Sequence, residues 1–118
     1  MCSRTSRIVI PVAAALTLLV STQPARAASS ICRYVNTPLT DGACQTAEIS
    51  ANRSGHHIYV RVSPHTTWSV IDQETRKKVG GGTSGASTKH KTIFGLYGDR
   101  YRLEVNGAFA GYGYINNN

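Results

Sequence analysis

"HIYVRVS", residues 57–63, decides the fold class of this chain because apolar and polar side chains alternate along it. Successive side chains of an extended strand point to opposite faces of a sheet. Ile58, Val60 and Val62 would therefore face a core, and Tyr59 and Arg61 would face away from it. The pattern predicts a half-buried β-strand.

The same alternation returns on both sides of this stretch. It is clear in "WSVI" (68–71) and in "YRLEV" (101–105), where Tyr101, Leu103 and Val105 would face inward, and no segment after the leader keeps a helical period with a cap at each end. Short strands between frequent turn residues indicate an all-β fold. We predict a small antiparallel β-sandwich of about seven strands, a count typical of immunoglobulin-like sandwiches. Weaker candidate strands are residues 31–35, 44–50, 92–96 and 109–115, and residues 116–118 are expected to fray.

The first residues have the layout of a secretory signal peptide. A basic start (1–7) precedes an apolar run (8–20) and a small-residue cleavage site, Ala-Arg-Ala. The apolar run is shorter than the roughly 18 residues that a membrane span needs, which disfavours the alternative of an anchor helix. We therefore predict a cleaved signal peptide (1–27), no membrane span, and one secreted, extracellular β-sandwich domain (28–118).

The charge of the chain is moderately positive. There are 13 basic and six acidic residues, and the leader contains three of the basic ones, so the net charge falls from +7 to +4 on cleavage. This balance favours attraction to anionic cell walls, extracellular polysaccharide or nucleic acid. The basic residues are dispersed except for Arg76, Lys77 and Lys78 and the Lys89/Lys91 pair, so no specific nucleic-acid partner is predicted. We place the first cluster at an exposed hairpin tip.

Cys32 and Cys44 are the two cysteines that remain after the leader. Two cysteines in an exported chain are expected to pair, and the short loop they close gives about 3 kcal/mol of stabilisation in the chain-entropy model. A metal pair or a reactive thiol are the alternatives. Both are disfavoured because there is no C-x-x-C and no third thiol after the leader.

The glycine-rich stretch "KKVGGGTSGAST", residues 77–88, is tested against phosphate-binding loops. Gly80 and Gly85 have the P-loop spacing, but Ala86 stands where that motif requires lysine. We interpret the stretch as a short return strand (77–79) followed by a glycine loop that turns the chain.

No constellation of reactive side chains points to an enzyme, a metal or a cofactor. Apart from His57 with its strand neighbours, His56, His57, His65 and His90 lack a spacing that would place two ligands on one face of a single element. Adjacent histidines on a strand point to opposite faces. There is no G-x-S-x-G elbow for a nucleophilic serine. The chain is therefore predicted to be non-catalytic.

Two longer segments carry a family resemblance. "WSVIDQETRKKV" (68–79) and "TIFGLYGDRYRLEVNG" (92–107) resemble the strand–hairpin–strand pattern of prealbumin-like (transthyretin or CnaB-type) β-sandwich modules, here in a chain similar to small secreted actinobacterial proteins. The resemblance covers residues 68–107 and departs at Arg76, where the family usually has glycine. It implies a two-sheet fold and no catalytic residue.

The aromatic residues divide into two groups. Trp68 and Tyr101 alternate in phase with aliphatic residues and are assigned to the core. Tyr97, Tyr112 and Tyr114 stand beside glycines and are predicted to form an exposed binding patch, because tyrosine is enriched at interfaces. The alternative is an edge strand of glycine and tyrosine that only packs.

These observations predict a binding protein that recognises an extracellular protein or a cell-surface glycan. The contact surface would be Tyr97, Tyr112 and Tyr114 together with Arg76, Lys77 and Lys78. One alternative is an inhibitor of a secreted hydrolase that presents residues 64–67 or the glycine loop to the enzyme. Another is an antibacterial effector or an adaptor subunit of an umbrella-like toxin particle. The oligomeric state is left open.

Overall fold

The computed structural model describes residues 28–35 and 42–118. The predicted signal peptide lies outside the described residues. The described chain is all-β, as predicted, with no helix and one strand more than the seven expected. The strands are β1 (Ser29–Tyr34), β2 (Gly42–Gln45), β3 (His57–Val62), β4 (Thr66–Asp72), β5 (Lys77–Thr83), β6 (Lys89–Phe94), β7 (Tyr101–Gly107) and β8 (Gly111–Asn116).

The strands pair in a nested order. β4 pairs with β5, β3 with β6, β2 with β7 and β1 with β8, all antiparallel. This long ribbon is rolled up by two further antiparallel pairings, β3 with β8 and β4 with β7. The result is two four-stranded sheets, sheet A with the order β1-β8-β3-β6 and sheet B with the order β2-β7-β4-β5. This winding of eight strands into two sheets is the double Greek key of a jelly roll.

The core lies between the inner faces of the two sheets, and the alternation in β3 and β7 supplies much of it. The inward assignments of Ile58, Val60 and Val62, and of Trp68 and Tyr101, are confirmed. Removing each large aliphatic side chain from water contributes about 1.5–3 kcal/mol. The least exposed side chains are Ile58, Val60, Val62, Thr66, Val70, Leu103, Val105 and Ile115.

The disulfide joins the sheets at one side of the sandwich. Cys32 lies in β1, an edge strand of sheet A, and Cys44 lies in β2, an edge strand of sheet B. Their Cα atoms are 5.9 Å apart and their sulfur atoms are bonded, so the predicted pairing is confirmed.

The glycine run of residues 80–82 does not turn the chain, so that prediction is wrong. It continues β5 to Thr83, paired with β4. Gly82 pairs with Trp68, and a Cβ on Gly80 would lie 2.5 Å from Ile93 on sheet A, so bulky residues have no room on this inner face. The turn follows at Gly85, whose φ of 71° is a left-handed conformation that glycine adopts readily.

The β4–β5 hairpin is built by Asp72. Its carboxylate accepts hydrogen bonds from the backbone N–H groups of Glu74 and Thr75, and its carbonyl accepts one from Arg76 N–H. Arg76 has a φ of 64°, a left-handed conformation in which glycine would be less strained. Arg76 thus occupies a position where the hairpin conformation favours glycine, the residue usual here in the prealbumin-like pattern.

The first two of the three terminal asparagines are held in the fold, in contrast to the prediction that residues 116–118 fray. Asn116 belongs to β8, and Asn117 is 4% exposed. The Asn117 side chain accepts a hydrogen bond from Ala28 N–H and donates one to the carbonyl of Ser50. The side chain of a polar residue is therefore fixed because it satisfies two backbone groups from distant parts of the chain.

Candidate functional site

The six residues predicted from the sequence lie in three places. Tyr112 and Tyr114 are in β8, in the interior of sheet A. Tyr97 is in the loop between β6 and β7, and Arg76, Lys77 and Lys78 lie at the β4–β5 hairpin of sheet B. The structure thus separates the two β8 tyrosines from the basic hairpin. Because β8 lies between β1 and β3, this segment is not the edge strand that the alternative assumed.

The side chains that surround Tyr112 and Tyr114 come from three other strands. We call the group on the outer face of sheet A the basic face. It alternates with buried residues along β3 and β8, so strand periodicity alone directs it outward. The basic face consists of Arg33 from β1, Tyr59 and Arg61 from β3, His90 from β6, and Tyr112 and Tyr114 from β8.

Arginines and tyrosines form a row across the basic face. Arg33 is directly opposite Tyr112 in the β1–β8 pairing, and Arg61 is directly opposite Tyr114 in the β3–β8 pairing. The guanidinium carbon of Arg61 lies 4.8 Å from the centre of the Tyr114 ring. The guanidinium carbons of Arg61 and Arg33 each lie 5.9 Å from the centre of the Tyr112 ring. These distances are within the range of cation–π attraction.

Further contacts hold the Tyr114 ring and extend this row toward β6. The hydroxyl of Tyr59 is hydrogen-bonded to Nδ1 of His90, and the Tyr59 ring meets the Tyr114 ring edge to face at 6.4 Å. Asn116 Nδ2 donates a hydrogen bond of 3.0 Å to the hydroxyl of Tyr114. Each ring is therefore held by a neighbour on the same face, which fixes its orientation before any ligand arrives.

The glycines between the tyrosines set how close the sheets come. Gly113 points inward, and a Cβ there would lie 2.7 Å from Val105 and 2.9 Å from Leu103, both in β7 of sheet B. The Gly-Tyr alternation of β8 therefore places glycine on the inner face of sheet A and tyrosine on the outer face. Glycine permits close packing of the sheets, and tyrosine supplies the outer surface.

The charges of the two sheets are segregated. No strand of sheet A contains an acidic residue, although these strands carry Arg33, Arg61, Lys89 and Lys91. Every acidic residue of the described chain lies in sheet B or in a loop, namely Glu48, Asp72, Glu74, Asp99 and Glu104.

Glu48 forms salt bridges with two arginines, Arg100 in the loop before β7 and Arg102 in β7. Arg100 Nε donates to it at 2.9 Å, and a second contact joins it to Arg102 at 3.4 Å. The hydrogen bond from Arg100 lowers the pKa of Glu48 below its ordinary value, against an opposing effect of desolvation. Arg100 and Arg102 are therefore neutralised in part, whereas Arg33 and Arg61 have no acidic partner among the described residues.

Arg61 has a further property, which is a buried donor without a partner. Its Nε atom is shielded from solvent and has no hydrogen-bond partner within the described chain. The aromatic contacts of Arg61 therefore fix its position without satisfying all of its five N–H donors.

Tyr97 lies apart, at an open cavity of about 160 Å³. The ring is 77% exposed and stacks on His56 with the ring centres 4.1 Å apart. Arg53 and Asp99 line the same cavity, so it contains one basic and one acidic group. Over residues 28–35 and 42–118, no three His, Cys, Asp or Glu side chains come together as a metal site.

The loop proposed for an inhibitor, residues 64–67, is only partly a loop. Thr66 and Thr67 belong to β4, and Thr66 is completely buried. The hydroxyl of Thr66 is hydrogen-bonded to the side chains of Tyr34 and Ser63, at 2.8 and 2.9 Å. This segment is thus anchored in the core by Thr66 and offers His65 and Thr67, and in part Pro64, to a partner.

Sequence patterns did not identify Arg33, Tyr59, Arg61 and His90 as surface residues of one site. A signal for two of them was present, because Tyr59 and Arg61 occupy the outward positions of the clearest strand. Their proximity to β8 could not be read from the sequence, since β3 and β8 are about fifty residues apart and the order of strands depends on long-range pairing.

No helix of the described residues is long and apolar enough to cross a bilayer. No protein-family model, no curated protein and no solved structure matches this chain.

Proposed function

We propose that this protein is a small secreted, non-catalytic binding protein that recognises a cell-surface glycan through the basic face of sheet A. One observation carries the proposal, namely the continuous row of two arginines and two tyrosines on a sheet without acidic residues. The row is held in place by contacts among its own members, so little side-chain entropy is lost when a ligand binds.

A glycan suits this surface better than a folded protein does. Protein interfaces generally have an apolar centre that is depleted of charge, surrounded by a polar rim. The basic face has the opposite arrangement, because its centre is polar and charged and the exposed apolar side chains Ile31 and Phe94 lie on the two edge strands. The tyrosine hydroxyl groups and the arginine N–H groups of this face can form hydrogen bonds with the hydroxyl groups of a sugar.

The proposal is tested by binding of the purified protein to a panel of extracellular polysaccharides, measured by calorimetry or by co-sedimentation. Tyr112→Ser and Tyr114→Ser should each weaken binding at least tenfold. Tyr97→Ser is the matched control, because it makes the same chemical change at an exposed tyrosine away from the basic face. Thermal unfolding of each variant reports whether the fold is retained.

Two results would contradict the proposal. Binding of no polysaccharide in the panel would remove it, and so would full retention of binding in a folded Tyr112→Ser/Tyr114→Ser double variant. Loss of binding in Tyr97→Ser alone would move the contact surface to the cavity beside His56.

A further inference from the structure

We infer that the glycan recognised by the basic face is an anionic polysaccharide, whose acidic groups bind Arg61 and Arg33. This inference rests on the proposed function and specifies the chemical class of its ligand. It is carried by the state of the two arginines: they are fixed by aromatic rings and have no acidic partner among the described residues.

The geometry of Arg61 favours an anion over a hydroxyl group. A guanidinium group that lies over aromatic rings uses its faces for these contacts, and its N–H donors remain in the plane at its edge. The guanidinium carbon of Arg61 lies over the rings of Tyr112 and Tyr114, at 5.9 and 4.8 Å from their centres. Edge donors in a fixed plane match the two oxygens of a carboxylate, sulfate or phosphate group.

Arg33 provides a second cationic point on the same row. Its guanidinium carbon and that of Arg61 are equally far from the centre of the Tyr112 ring, at 5.9 Å, so their separation is at most twice this distance. A polymer with an acidic group on successive units can therefore contact both arginines at once. The second contact is then intramolecular, which increases the total affinity without any further residue.

The charge of sheet A extends this preference beyond the two arginines. No acidic side chain is present in any of the four strands of sheet A. Lys89 and Lys91, in the edge strand β6, are exposed but lie opposite Val62 and Val60, so they add positive charge at the edge of the sheet and not on the basic face itself. A surface of one sign attracts a polymer of the opposite sign and speeds its association. A neutral glycan would gain nothing from this arrangement.

The aromatic rings distinguish a glycan from a nucleic acid. Single-stranded nucleic acids are bound by aromatic rings with an open face, on which successive bases stack. Tyr112 and Tyr114 are each half-buried, and their rings are in contact with Arg61. The row offers cationic edges at these two positions, and these suit the acidic groups of a polysaccharide better than they suit bases.

The test compares polysaccharides of similar length and different charge: a polyuronate, a sulfated glucan, a phosphate-linked wall polymer and a neutral glucan. We expect the protein to bind the anionic polymers and not the neutral one, with affinity that falls as salt is added, since salt screens charges. Arg61→Gln should weaken binding to the anionic polymers at least tenfold, and Arg33→Gln severalfold.

Arg102→Gln is the matched control. It removes an arginine of the other sheet that already contacts Glu48, so binding should be unchanged. Arg61→Lys keeps the charge and removes the planar edge, and should bind with an affinity between those of the parent and Arg61→Gln. If Arg61→Gln does not fold, Arg33→Gln, at an exposed position of an edge strand, tests the same reasoning.

The outcomes separate this inference from the proposed function. Equal binding of neutral and anionic polymers, unaffected by Arg61→Gln and Arg33→Gln, would overturn the inference and leave the glycan-binding function intact. Binding to none of the four would overturn both. Single-stranded DNA or RNA that binds as tightly as the best polysaccharide would also overturn the inference, because the basic face would then bind any polyanion and would not distinguish a polysaccharide from a nucleic acid.

Discussion

Replacement of both Cys32 and Cys44 by alanine should destabilise the protein by about 3 kcal/mol at 25 °C. The bond closes a loop across a sequence separation of 12. In the chain-entropy model, a cross-link over a loop of this length removes about 3 kcal/mol of conformational freedom from the unfolded chain. This is a large part of the roughly 5–15 kcal/mol by which small domains are stable.

The structure adds a reason for expecting the full effect. β1 and β2 are edge strands of different sheets, each paired with one neighbour in its own sheet. The disulfide is therefore the covalent link that keeps this side of the sandwich closed. For a domain of this size, each 1 kcal/mol corresponds to about 4–8 °C in melting temperature, so we expect the midpoint to fall by about 12–24 °C.

The assay is thermal and urea unfolding of the parent and the double variant, followed by circular dichroism. The urea m-value should rise in the variant, because an unfolded chain without the cross-link exposes more surface. Reductant should lower the midpoint of the parent to that of the variant and leave the variant unchanged. A variant that melts at the temperature of the oxidised parent, with the same m-value, would refute the reasoning.

Two further predictions concern packing and pH. Gly113→Ala should lower the free energy of unfolding, measured in urea, by about 1–3 kcal/mol, because the new methyl group would overlap core side chains of β7. Gly82→Ala should be neutral or slightly stabilising, because the nearest atom to its new methyl group would be 3.5 Å away. Equal effects of the two changes would contradict this account of β8. Glu48→Gln should destabilise the protein at neutral pH, where the Arg100 contact is intact. Because the pKa of Glu48 is lowered in the fold, this contribution is present above its ordinary pKa and is lost as the pH falls through the lowered value. The stability difference between parent and Glu48→Gln, measured by urea unfolding, should therefore shrink in acid, and a difference that grows in acid would contradict the assignment.

The local features of the fold were accessible from the sequence. Alternation in residues 57–63 and 101–105 identified two strands and their inward faces, because each strand is buried on one face and period two follows directly. The pairing of Cys32 with Cys44 followed from the count of cysteines in a chain predicted to be exported.

Features that depend on contacts between distant segments were not accessible. The glycines of β5 look like a loop in the sequence, and only their pairing with β4 explains why they form a strand. The positions of Ile93 and Trp68 against Gly80 and Gly82 explain why these residues are small. Asn117 looks like a fraying end, and only its contacts with Ala28 and Ser50 explain why it is ordered.

The candidate site illustrates the same limit. Tyr112 and Tyr114 were selected for their composition, but their arginine partners come from β1 and β3, whose places beside β8 are fixed by the winding of the whole chain. The cluster at Arg76, Lys77 and Lys78 is obvious in the sequence because its members are consecutive. Arg33 and Arg61 are isolated in the sequence and adjacent to the same ring in space.

The place of β8 between β1 and β3 has a consequence for the order of events in folding. β1 cannot join β3 and β6 in sheet A until the segment Gly111–Asn116 is available, because β8 is the one strand of that sheet with which β1 pairs. A ribosome releases this segment after all the other strands, so a growing chain can form the β4–β5 hairpin early but cannot close the sandwich. Pairings of such long sequence separation also form slowly. The two sheets can therefore close into the sandwich only once residues 111–116 are available to pair with both β1 and β3.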